Sequence, residues 1–569
     1  MKILTLHVDY IKFKPLKKAL KSIKELSEKE KKPVSVKESL VVLTAVEKTD
    51  SVGDSVKELV KNIKDVAGQV KAKSIVLYPY AHLSSNLASP ETAMEILERA
   101  GKELKKSFQV TEAPFGYYKE LEFKVKGHPL SELSREIHVT GGKEEKREEK
   151  IDHKNLLRSV GKSILDRSKL KSHDHRILGQ EMDLFSLNDV APGSVFWHHN
   201  GLIIYNELIK FLREVQQRRG YHEISTPQIL SNKLWKVSGH WEHFKENMFL
   251  TEYENKDAAV KPMNCPAAML VYRTRPRSYK ELPLRFAEMG IVHRKELSGV
   301  LAGLFRVVKL TMDDAHIFCT KEQIESEISN LFKIVKIIYK DTFNFPYTVE
   351  LSTRPGKFMG DKKEWDFAEK ALENALKKSK IKYKVNKGEG AFYGPKIDIH
   401  IKDSLGRSWQ VATIQLDMQM PQRFGLKYTG KDNKEKTPMV IHRAIFGSLE
   451  RFIGILLEHT HGRLPTWLAP IQVRILSFTD RNSKYGRGVI KKLAGEIPGL
   501  RIDADFVSTT LSSKVKNAEL MRIPYIVVIG DKEEKTKRVA LRIRGDKKIK
   551  IITLKEFIKS LKKEISEKK

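Results

Sequence analysis

A short basic segment of the sequence has residue types suited to holding a phosphate group. In RFAEMGIVHRKELSG, Arg294 and Glu296 alternate on a strand-like stretch, and Arg306 follows twelve residues after Arg294, beyond a glycine-containing turn. Alternating residues share one face of a sheet, so we expect Arg294 and Glu296 to lie side by side. A guanidinium there can grip an α-phosphate with two hydrogen bonds and stabilise charge that develops when a carboxylate attacks it. Taken alone, an Arg-x-Glu pair favours a cross-strand salt bridge.

Another arginine, Arg451, lies in the segment HRAIFGSLERFIGILLEHT, whose apolar residues recur at helical spacing. Gly447, Arg451 and Gly454 fall together on a second face of the predicted helix. Glycine inside a helix costs about 1 kcal/mol, so two glycines beside an arginine need a reason. Either a ligand such as the terminal phosphate of ATP approaches Arg451, or another element packs closely there. The apolar stripe of this predicted helix consists of Ile445, Leu449, Phe452 and Leu456.

These arginines matter because the sequence offers no other phosphate-binding pattern. It has no Gly-rich loop ending in Gly-Lys-Ser/Thr, and no dinucleotide-binding GxGxxG follows a strand. A phosphate would therefore have to be held by side chains.

The composition indicates a folded, strongly basic protein. Lys and Arg total 105 against 72 Asp and Glu, a formal net charge of +33, and 40% of the residues are hydrophobic. Such an excess attracts polyanions, so a nucleic acid is the favoured partner, although a solvated basic surface would have the same composition. Cys265 and Cys319 are too few for a disulfide framework. The start MKILTLHVDYIKF lacks the regions of a signal peptide, and no apolar run is long enough for a membrane span, so we expect a cytoplasmic protein without membrane partners.

The elements that must position these residues divide into a multidomain mixture of α/β and α+β folds. A chain of 569 residues exceeds one hydrophobic core. Strand-like stretches between Lys-rich helical segments predict a small α/β domain over 1–138, followed by a charged linker over 139–172. Residues 173–468 have the mixed strand and turn signals of a large enzyme domain, and 469–569 alternate as strand, helix, strand, helix, strand before a basic amphipathic helix.

Three segments of the large domain together resemble the motifs of class II aminoacyl-tRNA synthetases, in order and at suitable separation. They are EISTPQIL with Pro227, the segment around Arg294 and Glu296, and the segment with Arg451. The resemblance implies a catalytic domain built on an antiparallel sheet. Longer strings are similar to the threonyl-tRNA synthetase family: KPMNCP, FRVVKLTMDDAHIFCT, GEGAFYGPKID, SWQVATIQLDM and IHRAIFGSLERF.

The resemblance, and not the spacing, implies a zinc site at Cys265, His316 and His442. A buried cysteine and two hydrogen-bonded histidines would otherwise be the ordinary interpretation. One thiolate and two imidazoles suit tetrahedral Zn²⁺ with a coordination position open for substrate. In the family, threonine's amino group and hydroxyl both ligate the ion, and Asp314 holds the ammonium. Valine lacks the hydroxyl, so such a site would reject it.

The family positions also imply how the adenylate is bound. Arg294 would bind the α-phosphate, and Arg306 and Arg451 would bind ATP, with Mg²⁺ accompanying the pyrophosphate. Two positions depart from the family pattern: Met312 stands where a Gln is usual, and Ala267-Ala268 replace Gly-His after Cys265. Either departure could weaken activation. The residues expected around the substrate are Met263, Tyr393, Lys396, Gln410, Gln415 and Ser448.

The N-terminal domain resembles the archaeal editing domain of this family, which is related in fold to D-aminoacyl-tRNA deacylases. The resemblance rests on LHVDY, YPYAHLSS and APFGYYKELEFKVKGHPLSELSR. Serine keeps the hydroxyl and amine that zinc reads, and a missing methyl provides only about 1 to 3 kcal/mol of discrimination, so a second, hydrolytic site is expected. The segment has no obvious Ser or Cys nucleophile, so water-mediated ester hydrolysis is favoured. The alternative to a catalytic pocket is that these residues are ordinary surface residues on a tight Pro-Phe-Gly turn. The expected editing residues are His82, Tyr118, Lys119, His128 and Glu132.

The C-terminal module resembles the anticodon-binding domain of several class II synthetases. Glu533, Arg542 and Arg544 could contact bases or phosphates, although a solvated edge hairpin would have the same composition. The resemblance implies a homodimer that uses L-threonine, ATP and tRNA(Thr). Two other functions stay open: a trans-editing deacylase whose large domain only binds tRNA, suggested by Met312 and the alanine pair, and a non-enzymatic RNA-binding regulator.

Overall fold

The computed structural model describes residues 1–137 except 21, 22, 24 and 85, residues 170–569 except 404 and 405, and five positions between them: 157, 160, 165, 167 and 168. Most of the expected charged linker therefore lies outside the described residues. The chain forms two compact units, Met1–Asp152 and His153–Lys569. The expected boundaries at 138, 172 and 468 stay a prediction.

The N-terminal unit is a six-stranded mixed sheet with two helices on one face. The central strand pairs antiparallel with its neighbours on both sides, whereas the third and fourth strands continue the sheet in parallel. The sequence predicts strand-like stretches at 3–7, 40–46, 74–78 and 121–125, and each coincides with one of these strands, although β2 ends at Ala45, one residue before the second stretch does. In chain order the elements are β1 (Lys2–Lys18), β2 (Val34–Ala45), α1 (Val52–Val70), β3 (Ser74–Pro79), α2 (Pro90–Leu104), β4 (Gln109–Glu112), β5 (Tyr117–Val125) and β6 (Glu132–Glu136).

A register shift in β1 explains how this long strand serves one core along its length. Leu6 and Val8 are even-numbered and Ile11 and Phe13 are odd-numbered, yet all four side chains belong to the same buried cluster. The pairing of β1 with β5 shifts between Val8 and Tyr10, and an extra residue in a strand exchanges its two faces. The opposite face packs on α1 and α2.

The second unit contains an eight-stranded, mainly antiparallel sheet in the order β16-β15-β17-β18-β21-β14-β13-β9. One face is covered by helices around the largest buried cluster of the unit. The elements of this part are α3 (His175–Glu181), β7 (Phe185–Leu187), β8 (Val195–Trp197), α4 (His199–Gln217), β9 (Tyr221–Glu223), β10 (Ile229–Ser231), α5 (Asn232–Ser238), α6 (His240–His243), β11 (Leu250–Tyr253), β12 (Lys256–Val260), α7 (Cys265–Tyr272), β13 (Leu284–His293), β14 (Lys309–Cys319), α8 (Ile324–Val335), β15 (Tyr347–Ser352), α9 (Lys362–Lys378), β16 (Lys384–Asn386), β17 (Lys396–Lys402), β18 (Ser408–Asp417), α10 (Gln419–Arg423), β19 (Tyr428–Thr429), β20 (Glu435–Lys436), β21 (Met439–Ser448) and α11 (Leu449–Thr460).

The last part of the unit is a five-stranded sheet in the order β23-β22-β24-β25-β26, in which the first three strands are parallel, β25 is antiparallel to β24, and β26 is antiparallel to β25. This agrees with the alternating pattern expected from the sequence. Its elements are β22 (Val473–Ser477), α12 (Ser483–Glu496), β23 (Ile502–Asp505), α13 (Leu511–Leu520), β24 (Tyr525–Ile529), α14 (Asp531–Thr536), β25 (Arg538–Ile543), β26 (Ile549–Thr553) and α15 (Leu554–Ser566).

Two expectations about local structure are wrong. Strand β13 ends at His293, which pairs with Lys309, so Arg294 and Glu296 lie in the loop that follows and do not share a sheet face. Gly447 lies on β21 with a φ of +70°, a conformation outside the right-handed helix, and α11 begins only after the cap at Ser448. Arg451 and Gly454 do share a helix face. Among the helices of the described residues, not one is long and apolar enough to cross a membrane.

Candidate active site

The open face of the large sheet contains a cavity of about 290 Å³ that gathers most of the residues expected around the substrate. On β14, Met312, Asp314 and His316 alternate toward it, as the two-residue period of a strand requires. Only Glu296, Arg306 and Lys396 of the expected catalytic, substrate and metal residues are outside its lining. The other expected residues that line it are Met263, Cys265, Arg294, Tyr393, Gln410, Gln415, His442, Ser448 and Arg451.

The three expected zinc ligands converge in this cavity although they are far apart in sequence. His316 on β14 is directly opposite His442 on β21, and Cys265 begins helix α7 above them. One ligand atom of each residue lies within 4.8 Å of the others, and all three side chains are buried. Burial lowers the pKa of His316 well below its usual value, so its imidazole is neutral and able to ligate a metal. Burial, and then Asp314, raises the pKa of the Cys265 thiol.

Asp314 is held beside the trio by an asparagine. The amide of Asn264 donates to Asp314 Oδ2 at 2.6 Å, and this bond and the charge of Arg294 oppose the burial that raises the pKa of Asp314. Asn264 fits because the neighbouring strand has Gly290, where a Cβ would lie 2.2 Å from the asparagine amide. A carboxylate at this depth is suited to receive an ammonium group.

Arg294 and Arg451 line the same cavity, and the charge of Arg306, outside the lining, acts on Arg451. Burial lowers the pKa of Arg451, and the positive charges of Arg294 and Arg306 lower it further. Positive charge from two segments of the chain is therefore concentrated near Arg451. Arg451 donates to Phe305 O at 2.8 Å and to Gln410 O at 3.1 Å. Glu296 pairs with Arg306 at 3.0 Å, so the acidic residue balances the more exposed arginine of the group. Such a concentration of guanidinium groups favours an anionic ligand.

Polar side chains fix the rim of the cavity. Asp398 accepts from Lys396 and from Gln410, each at 2.5 Å, so these two expected residues meet at one carboxylate. Gln415 donates to Gly394 O at 3.1 Å, in register with His442 on the next strand. Ser448 accepts the Arg451 amide at 3.3 Å and thereby caps helix α11.

The departures from the family pattern differ in position. Met312 lines the cavity, whereas Ala267 and Ala268 are buried in helix α7 and lie outside its lining.

Burial raises the pKa of Tyr393, another residue of the cavity lining, far above its ordinary value, so its hydroxyl stays protonated.

In the N-terminal unit, Lys119 is the expected editing residue with the most unusual environment. Its ammonium donates to Pro114 O at 2.8 Å and to Tyr117 O at 3.0 Å, and it lies 4.9 Å from the centre of the Tyr78 ring. Burial lowers its pKa to about 8. The ring of Tyr78 contacts Tyr80, which in turn contacts His82 edge-on at 5.4 Å. A run of aromatic contacts therefore connects Lys119 with His82.

The other expected editing residues have different surroundings. Tyr118 is 57% exposed and lies under Lys17, whose ammonium is 5.8 Å from the ring centre. His128 Nε2 shares a hydrogen bond of 2.8 Å with His7 Nδ1. Glu132 is exposed on β6, opposite Leu6 of β1. The turn before these strands contains Gly116 at a φ of +71°, which agrees with the expected Pro-Phe-Gly turn.

Two of the three expected anticodon residues have structural partners. Arg544 donates to Arg522 O at 2.6 Å and also to Leu464 O, so its guanidinium joins β25 to the end of the large domain. Glu533 accepts the Gly530 amide at 3.0 Å and caps helix α14. Arg542 lines a cavity of about 400 Å³ next to Arg544.

Three family models match successive parts of the chain. An archaea-specific editing domain of threonyl-tRNA synthetase matches residues 1–137, a class II tRNA synthetase core domain (G, H, P, S and T) matches 249–460, and an anticodon-binding domain matches 472–564. With the antiparallel sheet and its arginine-lined cavity, these matches define the class as a multidomain class II tRNA synthetase.

Individual relatives narrow the class. Threonine–tRNA ligase from Clostridium tetani is 48% identical over 73% of this chain and 66% of its own length, and the one from Caldanaerobacter subterraneus is 51% identical over 72% and 64%. The solved RNA binding domain of threonyl-tRNA synthetase from Cryptosporidium parvum is 41% identical, with a TM-score of 0.66, over 69% of this chain and 98% of that one. The chain belongs to the threonyl-tRNA synthetase family. It spans slightly less than two thirds of the curated relatives.

Sequence reasoning missed three acidic or amide residues that the structure puts at the site. Asn264 directly precedes Cys265, and Asp417 lies in the quoted string SWQVATIQLDM, but neither had a role before its partner was known. Asp417 accepts from His442, and Asp398 joins Lys396 to Gln410. Their only sequence signal was proximity to a motif.

Proposed function

We propose that the protein activates L-threonine with ATP, transfers it to tRNA(Thr) and hydrolyses mischarged seryl-tRNA(Thr) in its N-terminal unit. The observation that carries the proposal is the convergence of Cys265, His316 and His442 in one cavity with Arg294 and Arg451. An amino-acid site and a polyphosphate site would then lie side by side, as adenylate formation requires.

The donor set fits zinc. One cysteine and two histidines are a borderline-soft combination that Zn²⁺ prefers, and three protein ligands leave a coordination position for substrate. Their mutual distances, within 4.8 Å, allow one ion to bridge them after small side-chain shifts. A Zn²⁺ ion bound there would act as a Lewis acid that accepts the amino and hydroxyl groups of threonine. Asp314, fixed by Asn264, would orient the amino group.

Activation then depends on positioning and charge. The carboxylate of threonine is already ionised, so this step needs no general base. Arg294 would bind the α-phosphate, while Arg306 and Arg451 would bind the remaining phosphates with Mg²⁺. Gln410 would form the polar wall beside the adenylate, together with Tyr393, Gln415, Ser448 and Met263. Lys396, outside the lining, would support this wall through Asp398, which it shares with Gln410.

The editing reaction would use Lys119. Its ammonium is desolvated and pre-positioned by two carbonyl groups, so it could polarise the ester or orient the attacking water. His82 would be the second polar group, with Tyr118, His128 and Glu132 around it. Serine would require this step because a zinc site that reads the β-hydroxyl would also accept serine.

The remaining parts of the proposal concern partners. Residues 469–569 would bind the anticodon, with Arg542 as the best-placed arginine, and residues 1–138 would edit. The family resemblance supports a homodimer in the cytoplasm.

Purified protein alone provides the test. It should form threonyl-tRNA from threonine, ATP and tRNA, and it should release serine from seryl-tRNA(Thr). Deacylation without any threonine activation would instead support the trans-editing alternative, which Met312 in the cavity lining keeps open. Zinc-free, inactive protein that still binds RNA would support the regulator.

A further inference from the structure

We propose that His175 is a positioning residue for ATP, because it clamps the turn that holds Arg451 in place. The inference rests on the proposed function. The turn spans residues 302–306 and is closed by a bridge between Ala302 and Arg306. His175 begins helix α3, more than one hundred residues earlier in the chain, and only 1% of its surface is exposed.

Both ring nitrogens of His175 have fixed roles. The backbone N–H of Leu304 donates to Nε2 at 3.0 Å, so Nε2 is unprotonated and the ring proton lies on Nδ1. Nδ1 then donates to Glu458 Oε1 at 2.8 Å, and Glu458 is also buried. The contact is close because Gly303 has a φ of +52°, and a Cβ there would be 2.3 Å from Nε2.

The turn and His175 both contact one face of helix α11. Arg451, Gly454 and Glu458 are three and four residues apart, so they lie along one side of the helix. Arg451 Nε donates to Phe305 O at 2.8 Å, while a Cβ at Gly454 would be 3.0 Å from the Phe305 ring. Glu458 completes the face by holding His175. Gly454 therefore serves close packing, not ligand approach.

The turn is thus fixed from two sides. His175 holds the amide of Leu304, and Arg451 holds the carbonyl of Phe305, the next residue. Loss of the acceptor on His175 would leave the buried Leu304 amide without its partner and free the turn to shift, so Arg451 and Arg306 would lose their alignment on ATP.

The same cluster has spacing that could hold a metal ion, since Asp174, His175 and Glu458 offer atoms within 4.8 Å of one another. Its hydrogen bonds favour the clamp instead. Arg176 occupies both carboxylate oxygens of Asp174 at 2.9 Å, and Leu304 occupies Nε2 of His175.

The test measures threonine-dependent pyrophosphate exchange with the Michaelis constants for ATP and threonine determined separately. For H175F we expect kcat/KM for ATP to fall about tenfold or more. This is the size of effect expected when the buried amide of Leu304 has no partner and the turn has to be held in place for ATP without it. The KM for threonine and the zinc content should stay within twofold of the wild-type values. H175Q, whose amide oxygen can accept from Leu304, should recover most of the loss. H459F makes the same change on helix α11, where His459 packs on Phe345, and should behave as wild type.

G303A disturbs the contact between the turn and His175 by changing the turn instead of the histidine. It provides a second test if H175F fails to fold. Its added Cβ would push the turn from His175, so the same ATP-specific loss is expected. Unchanged ATP kinetics in H175F or G303A, equal losses for both substrates, or H175Q as poor as H175F would overturn the inference. Wild-type protein without any threonine-dependent exchange would overturn the proposed function and this inference together.

Discussion

His442 Nε2 lies 2.8 Å from Asp417 Oδ2, and this hydrogen bond leaves Nδ1 as the ring nitrogen available to a metal. Asp417 is fully buried, and its other oxygen accepts the amides of Gln419 and Met420 at 2.7 and 3.0 Å. The start of helix α10 therefore fixes the carboxylate, and the carboxylate orients the imidazole. A carboxylate–histidine pair of this kind strengthens a metal ligand.

Asp417→Asn should weaken zinc binding by about 10- to 100-fold, because the amide no longer fixes and polarises His442. Zinc retained after dialysis against a competing chelator is the measurement. Asp432→Asn, at an exposed ion pair with Lys436, is the matched control and should retain zinc as wild type does. Equal retention by both variants would show that Asp417 has no influence on the ion.

Arg294→Ala should lower threonine-dependent pyrophosphate exchange by about 100-fold or more, because a preorganised charge at the α-phosphate is lost. Arg273→Ala removes an exposed arginine at the end of helix α7 and should leave exchange intact. Full activity of the Arg294 variant would contradict its assignment.

The hydrolysis of seryl-tRNA that depends on Lys119 should decline as the pH rises from about 7 to 9. The pKa of Lys119 is lowered by burial to about 8, so the cation is present below that pH and lost above it. Subtracting the rate of Lys119→Met from that of wild type at each pH isolates this part. Lys124→Met, on the same strand but exposed, is the control.

The lowered pKa of Lys119 also determines how the stability of the folded protein changes with pH. The unfolded lysine, near its ordinary pKa of 10.5, binds more protons than the folded one between pH 8 and 10.5. Stability should therefore increase with pH through that window. A Lys119-dependent rate that rises through pH 8 would contradict a cationic role.

Asp313→Ala should destabilise the large domain by about 3 to 5 kcal/mol, because it leaves buried Arg443 and two backbone amides without their carboxylate. Asp313 accepts from Ile445 and Gly447 at 2.9 Å, and Arg443 lies 3.5 Å away. Urea unfolding is the measurement. Asp361→Ala removes only a helix cap and should cost about 1 kcal/mol; a similar loss in both variants would refute the buried network.

The sequence predicted most of the architecture where local patterns determine it. Alternating strands and helices after residue 470 and the strands of the N-terminal unit appear as expected, because each element has its own periodicity. The strand through Arg294 was wrong for a tertiary reason. Its pairing with β14 ends at His293 opposite Lys309; the Arg294 amide still donates to Val308 O, but the Glu296 amide turns back to Arg294 O, so the strand does not continue.

The site was less accessible to sequence reasoning than the fold. Cys265, His316 and His442 come from a helix and two strands, and only the family resemblance connected them before the structure did. His175 and Asp417 act through partners on other elements, with Glu458 283 residues from His175 and His442 25 residues from Asp417. Pairs of this kind have no characteristic spacing in the sequence by which they could be recognised.

One assay tests the central claim most directly: pyrophosphate exchange by the purified, zinc-analysed protein with threonine, serine and valine in parallel. We expect about one zinc per chain, exchange with threonine and serine, and little or none with valine, because only the first two have a β-hydroxyl. Zinc-free protein that remains active, or valine exchanged as readily as threonine, would contradict the claim that Cys265, His316 and His442 hold an ion that selects the substrate.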